Sequence, residues 1–231
     1  MEIVEDNTKQ LARFSFLPPN PSYIAGFIDG DGCIFIRKIK GGYQSGISLT
    51  QSRTNILQII RYHFGGNITS SNKRNNKTKD MFNENSFIHK NNIRNQYNII
   101  IRSNEYKFLL DYIKNFIIIK KTQIDCLNKM YRLSNSPNCI IEKEELYNKC
   151  SQSNKIHWFD LCNLDKINNE YISGLFDAEG CFYINNKNYT KFYISITQKN
   201  NPILLEKILN KLGFGIIDSE KKFKIYKKED C

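Results

Sequence analysis

Two short stretches carry carboxylates where a helix does not favour them. IAGFIDGDG (Ile24 to Gly32) and ISGLFDAEG (Ile172 to Gly180) each read as a small-residue helix ending on two acids, Asp29 and Asp31 in the first, Asp177 and Glu179 in the second. At a helix C-terminus the macrodipole disfavours an anion by about 0.3–1 kcal/mol. A chain shaped for stability alone would place lysine there. If the two helices pair in parallel, Asp31 and Glu179 come side by side, and two anions ~4 Å apart repel by about 4 kcal/mol at an effective dielectric of ~20. Divalent cations remove that cost. Oxygen-only donors favour Mg²⁺ over zinc, and metal held between acids over a polyanion is a general route to phosphodiester hydrolysis.

The charge of the whole chain supplies the polyanion. Lys+Arg 34 against Asp+Glu 23 leaves +11 over 231 residues, with a pI near 9.2, which favours nucleic acid first and an acidic membrane surface second. A hydrophobic fraction of 40% excludes a disordered tail. No apolar run approaches the roughly 18 residues that span a bilayer, so no membrane partner is expected.

The seven cysteines (Cys33, Cys126, Cys139, Cys150, Cys162, Cys181 and Cys231) are widely spaced, and the N-terminus is acidic. Free thiols in a reducing compartment are therefore expected, not disulfides. Cys150, His157 and Cys162 fit no zinc-ligand spacing. Cys33 and Cys181, one past each acidic stretch, read as small packing residues. His63, His89 and His157 lie outside the repeated stretches and take no role.

Those stretches belong to a longer internal repeat. YIAGFIDGDGCIFI (Tyr23 to Ile36) returns as YISGLFDAEGCFYI (Tyr171 to Ile184) at an offset of 148 residues. ISLTQSRTNIL (Ile47 to Leu57) matches ISITQKNNPIL (Ile194 to Leu204), and FGGNI (Phe64 to Ile68) resembles LGFGI (Leu212 to Ile216). Three blocks in one order imply a duplicated unit. Gly26 and Gly30, and Gly174 and Ala178, make a smooth ridge on each helix, so each copy can supply the other's close-packing partner.

Each unit reads as helix, hairpin, helix, hairpin. In the first, Ser22 is the expected N-cap and Gly32 the expected left-handed C-cap; Glu170 and Gly180 bracket the equivalent helix. Strands are expected over Ile34–Ile39, Ile47–Gln51, Ile68–Ser71 and Gln96–Arg102, and helices over Asn55–Phe64 and Pro202–Leu212. Asn72–Asn95 reads as a long hairpin loop whose basic run Lys73–Lys79 can grip phosphates. Two closing helices are expected over Glu105–Ile119 and Thr122–Leu133, and a connector with a short helix at Glu142–Lys149. The organisation is an N-terminal extension (1–20), a first repeat (21–134), a linker (135–169) and a second repeat (170–231) that holds another hairpin over Gly215–Lys227 but lacks closing helices. The natural chain is open to continuation past Cys231.

These doubled motifs resemble the LAGLIDADG homing endonucleases in their single-chain, two-repeat form. The resemblance lies in Ile24–Gly32 and Ile172–Gly180 and extends more weakly through both units. It implies an α+β fold, a pseudo-two-fold duplication of an αββαββα unit, with the motif helices at the interface and the antiparallel sheets forming a saddle over the DNA major groove. It implies that Asp31 and Glu179 are the metal-binding catalytic acids, while Asp29 and Asp177 look structural. Gln51 and Gln198, both in TQ contexts, are similar to the family's active-site glutamine. Lys120 resembles a basic residue that polarises solvent near the scissile phosphate, and no equivalent lysine can be assigned in the second unit.

Base reading falls to the wet face of each sheet. Phe35 and Arg37 alternate with the drier Ile34 and Ile36, and Ser48, Thr50 and Arg53 continue that face. Tyr183, Asn185, Lys187, Ser195 and Thr197 correspond in the second half. Arg37 suits guanine and Asn185 adenine, while Lys38, Lys40 and Lys191 suit phosphates.

The expected activity is site-specific, double-strand DNA cleavage by a monomer using Mg²⁺, with Mn²⁺ an acceptable substitute, on a long pseudo-palindromic target. The resemblance further implies short 3′ overhangs and an intron-borne gene. Heavy use of Asn, Ile, Lys and Tyr suggests an A+T-rich organellar genome, mitochondrial before chloroplast. The alternatives are an RNA-binding maturase acting on its own intron and a catalytically impaired DNA-binding remnant.

Overall fold

The computed structural model describes residues 17–72, 95–102, 105–134, 136, 139–155, 161–184, 192–198 and 201–226. One architectural unit is used twice. The first runs α1 (Pro21–Asp31), β1 (Gly32–Ile39), β2 (Gly42–Gln51), α2 (Asn55–Phe64), β3 (Asn67–Asn72), β4 (Asn95–Arg102), α3 (Tyr106–Ile113) and α4 (Lys121–Leu133). After α5 (Ile140–Lys155) and a 3-10 turn over Leu161–Lys166 come α6 (Asn169–Glu179), β5 (Gly180–Ile184), β6 (Phe192–Thr197), α7 (Pro202–Leu212), β7 (Ile216–Ile217) and β8 (Lys222–Tyr226). Both sheets are antiparallel and four-stranded, ordered β1-β2-β4-β3 and β5-β6-β8-β7. The expected α+β duplication is what the chain adopts.

α1 is apolar on nearly every side and therefore sits at the centre, with Ile24, Ala25, Phe27 and Ile28 buried. Its partner is α6, running in the same direction. A Cβ on Gly26 would lie 2.1 Å from the Tyr171 carbonyl oxygen, one on Gly174 1.9 Å from that of Tyr23, and one on Gly30 2.4 Å from Ala178 Cβ. The two backbones touch at these points, and only glycine permits it at Gly26 and Gly174. The N-caps are Asn20 and Asn168, whose side chains accept from the Ser22 and Tyr171 backbone N–H groups. Ser22 is thus inside the helix, and its hydroxyl donates to Asn168 at 2.7 Å, stitching the two helix starts together. Gly32 is no left-handed cap either: at φ −74° and ψ 137° it carries the chain straight from helix into strand. A side chain there would strike the Ile28 carbonyl oxygen at 2.4 Å.

In the first unit, α2, α3 and α4 cover the sheet face carrying Ile34, Ile47, Leu49, Ile99 and Ile101, all fully buried. The first closing helix ends at Ile113, six residues earlier than expected. Ile117, Ile118 and Ile119 then form a buried strap, in which the backbone of Ile118 and Ile119 leaves the helix to serve the Asp29 carboxylate. The connector helix is longer than expected: α5 packs on α4 and β1, with Cys150 buried against the Ile34 carbonyl.

The second unit repeats the helix, hairpin, helix, hairpin order, and the second hairpin turns through Asp218, whose carboxylate accepts from the Glu220 and Lys222 N–H groups. Counterparts of α3 and α4 are absent among the described residues. The apolar side of its sheet is correspondingly open: Phe182 is 74% exposed, and a groove is lined by Ile172, Phe176, Ile194, Leu212, Phe223 and Ile225.

Candidate active site

The parallel helix pair brings its last acids together. Glu179 Cγ lies 3.2 Å from where a Cβ on Gly30, the residue before Asp31, would stand. Burial, then the neighbouring Glu179 charge, pushes the Asp31 carboxyl up to about 6, against the pull of Lys120 and a hydrogen bond from Gln51. Burial also raises Glu179, with Lys120 opposing. Gln51, at the end of β2, donates its side-chain amide to Asp31. Its counterpart does not mirror it: Gln198 accepts from Asn201 Nδ2 at 3.4 Å, so the symmetry of the two TQ contexts is broken at the side-chain level.

Beneath Asp31 lies a second, fully buried layer. Asp29 accepts from the N–H groups of Ile118 (2.8 Å), Ile119 (3.0 Å) and Lys120 (2.9 Å) and from the Tyr171 hydroxyl (2.8 Å). Burial pushes this carboxyl up, while the Lys120 charge and these donors hold it down; four donors on two oxygens suit the ionised form. The Lys120 ammonium donates to the carbonyls of Ile28 (2.7 Å), Asp29 (2.8 Å) and Gly30 (3.1 Å). An ammonium has three N–H donors, so all are spent on the C-terminal carbonyls of α1. Desolvation lowers its pKa, and the surrounding carboxylates, Asp29 foremost, raise it. Lys120 therefore neutralises the helix end that the acids burden. In the other half the exposed Asp177 accepts from Tyr23 at 2.6 Å.

The remaining face of each sheet is open. In the first, register aligns Arg37 with Gln44, Phe35 with Gly46, and Ser48 with Cys33 and Ile100. Arg37, Lys40, Thr50 and Arg53 are exposed, and Phe35 and Ser48 half-buried. Lys38 does not belong to this face. It alternates with Ile34 and Ile36 towards the helices, where it pairs with Glu144 at 2.8 Å and lies over the Tyr147 ring. Residues that sequence reasoning passed over share the open face: Gln44, Asn98 (accepting from Ser48 at 2.8 Å) and Arg102. Cys33 and Cys181 are exposed there instead of filling packing space. In the second sheet Tyr183 is exposed and Thr197 half-buried, but Ser195 is buried at 6%. It sits in register between Cys181 and Lys224, which leaves its short side chain little reach. Asn185, Lys187, Lys191, His89, His157 and the Lys73–Lys79 run lie outside the described residues.

The family model for LAGLIDADG endonuclease matches residues 24–88 and 172–229, more than half of the chain and one motif in each stretch. The chain belongs to the LAGLIDADG endonuclease family. No curated protein matches it by sequence. Among solved structures, the fold is similar to the LAGLIDADG meganuclease I-AabMI bound to uncleaved DNA (TM-score 0.62, 16% identity, 90% of this chain and 78% of that one). It is also similar to I-SmaMI bound to an uncleaved DNA target in the presence of calcium ions (0.61, 16%, 90% and 79%) and to I-GzeII in complex with its DNA target (0.59, 16%, 90% and 79%).

The donor chemistry at the tip of this LAGLIDADG helix pair fits a hard divalent cation. It offers only carboxylate oxygens, and burial raises both carboxyls although Lys120 opposes the shift. Among the described residues no cluster of three or more histidine, cysteine or acidic side chains occurs that would make a complete protein cage. Hard cations also take backbone carbonyl, phosphate and water oxygens as ligands, so two carboxylates suit a site completed by a phosphodiester. Tyr23 and Tyr171 were the overlooked members of the site. Both stand in the repeated blocks at the same offset as the acids they serve.

Proposed function

We propose that this LAGLIDADG chain is a site-specific, double-strand DNA endonuclease. The observation that carries the reading is the parallel helix pair ending in Asp31 and Glu179, half-buried acids close enough for the Glu179 charge to raise Asp31, between two open, polar sheet faces. Mg²⁺ ions held by Asp31 and Glu179 would supply Lewis acidity at the scissile phosphodiesters, with Mn²⁺ able to substitute. Gln51 orients the Asp31 carboxylate through its amide. Lys120 and Asp29 act one layer down, fixing the end of α1 so that Asp31 points at the cleavage position. Arg37, Lys40, Thr50, Arg53, Tyr183, Asn185, Lys187 and Thr197 provide the duplex contacts. The two faces carry different residues, which makes the target pseudo-palindromic over about two helical turns.

Both halves of the site reside in one chain, which supports a monomer. The Asn- and Ile-rich composition supports an organellar, mitochondrial gene. The finer features, an intron-borne gene and short 3′ overhangs, complete the proposal. The test is incubation with a plasmid carrying the intron-insertion junction. Linearisation with Mg²⁺ that stops in EDTA supports the enzyme. Intron-RNA binding without cleavage would favour the maturase reading, and DNA binding without cleavage a remnant.

A further inference from the structure

Arg37 is an exposed residue on the open face of the first sheet, yet its side chain is held. Its Nε donates to Gln44 Oε1 at 2.7 Å, and a terminal guanidinium nitrogen donates to the same oxygen. The guanidinium carbon also stands 5.2 Å from the centre of the Phe35 ring. Phe35 can lie there because its cross-strand neighbour is Gly46: a Cβ on Gly46 would come 2.8 Å from Phe35 Cζ. Among the described residues the Phe35–Gly46 pair is specific to this half. The equivalent places across the second sheet are taken by Tyr183 and Tyr193, whose rings stack on each other at 4.7 Å.

We propose that Arg37 and Gln44 form one composite base reader, with Gln44 a specificity-determining residue and the Phe35–Gly46 pair its floor. The inference rests on the reading of this face as the one that meets duplex DNA. The chemistry follows from donor counting. Arginine has no acceptor, so Gln44 must turn its oxygen to the guanidinium and its NH₂ away. Gln44 takes the Nε edge of the guanidinium, leaving the two terminal nitrogens as a forward fork. That fork matches guanine N7 and O6 in the major groove, and the freed Gln44 NH₂ adds donors for an acceptor on the adjoining base pair. The pair therefore reads guanine followed by another acceptor edge, in one fixed orientation and with little side-chain entropy left to lose.

The test is selection from a duplex library randomised over about two helical turns, read as base preferences at each position in Ca²⁺ binding buffer. Arg37→Ala is expected to lose about ten- to a hundredfold of guanine preference at one position. Gln44→Leu, which keeps the bulk and removes the amide, should flatten that same position and its neighbour. The double variant should flatten no further position. Gln44→Glu keeps the acceptor but not the donors, so it should retain the guanine and lose the neighbour. A Gln44→Leu protein with the wild-type guanine preference, or one altered only at a base pair remote from that read by Arg37, overturns the composite reader while leaving duplex recognition intact. A wild-type protein that enriches no sequence at all overturns the duplex reading itself.

Discussion

Tyr171 donates its hydroxyl hydrogen to Asp29 at 2.8 Å, so the second motif helix satisfies the buried acid of the first. Tyr23 makes the reciprocal bond to Asp177. The two bonds sit in different surroundings, one fully buried and one exposed, and should differ in worth. Tyr171→Phe is expected to cost about 1.5–3 kcal/mol, the range for a hydrogen bond to a charged group, lowering Tm by roughly 3–10 °C. Tyr23→Phe should cost about 0.5 kcal/mol or less, as surface changes do. Thermal denaturation of both variants in EDTA checks the order.

Helix contact at Gly26 and Gly174 leaves no room for a methyl group. Gly26→Ala or Gly174→Ala must push the backbones apart, since the nearest atoms are the Tyr171 and Tyr23 carbonyl oxygens and not flexible side chains. Overpacking of this kind costs about 1–3 kcal/mol or more. Denaturant midpoints should fall for both, and DNA cleavage should suffer with them, because the same displacement separates Asp31 from Glu179.

Much of this was legible in the sequence because the repeat aligned the glycine ridges and the acids at one offset of 148 residues and the second strands within one residue of it. Gln51 follows directly from the end of its strand. What stayed hidden depends on distant partners. The isoleucines at 117–119 continue an apolar helical pattern, and nothing near them signals that the N–H groups of Ile118 and Ile119 serve Asp29, some 90 residues earlier. Gln198 matches Gln51 in context, but Asn201 intercepts its side chain. α5 runs six residues past the expected Lys149 through a polar stretch, Cys150–Lys155, that carries no apolar stripe to mark it as helix. The charge of Lys38 suggests a phosphate contact, but strict strand alternation puts it with Ile34 and Ile36, facing Glu144.

Salt dependence separates the two hairpin lysines. Lys38 is engaged by Glu144 and Tyr147 on the helix side, whereas Lys40 is exposed at the hairpin end. Lys40→Ala should reduce the slope of log affinity against log salt by about 1, the signature of one lost phosphate contact. Lys38→Ala should leave the slope unchanged. Titrations of duplex DNA across a range of salt concentrations measure both.

The raised Asp31 carboxyl makes a stability prediction with a definite sign. Its folded pKa of about 6 lies above the ordinary aspartate value, so the folded state binds its proton more tightly than the unfolded chain does. In EDTA, ionised Asp31 therefore destabilises the protein fully above pH ~6, and that penalty shrinks steadily as pH falls from ~6 to the ordinary aspartate value of ~4. Asp31→Asn should raise Tm at pH ~8, and the gain should be about halved at pH ~5 and gone below pH ~4.

The most direct measurement pairs cleavage with binding for Asp31→Asn and Glu179→Gln on the junction plasmid. The nuclease reading predicts that each variant loses Mg²⁺-dependent cutting by about 10³-fold or more, on the scale of removing a central electrostatic group, while retaining duplex affinity in Ca²⁺. Full-rate cutting by either variant would contradict it.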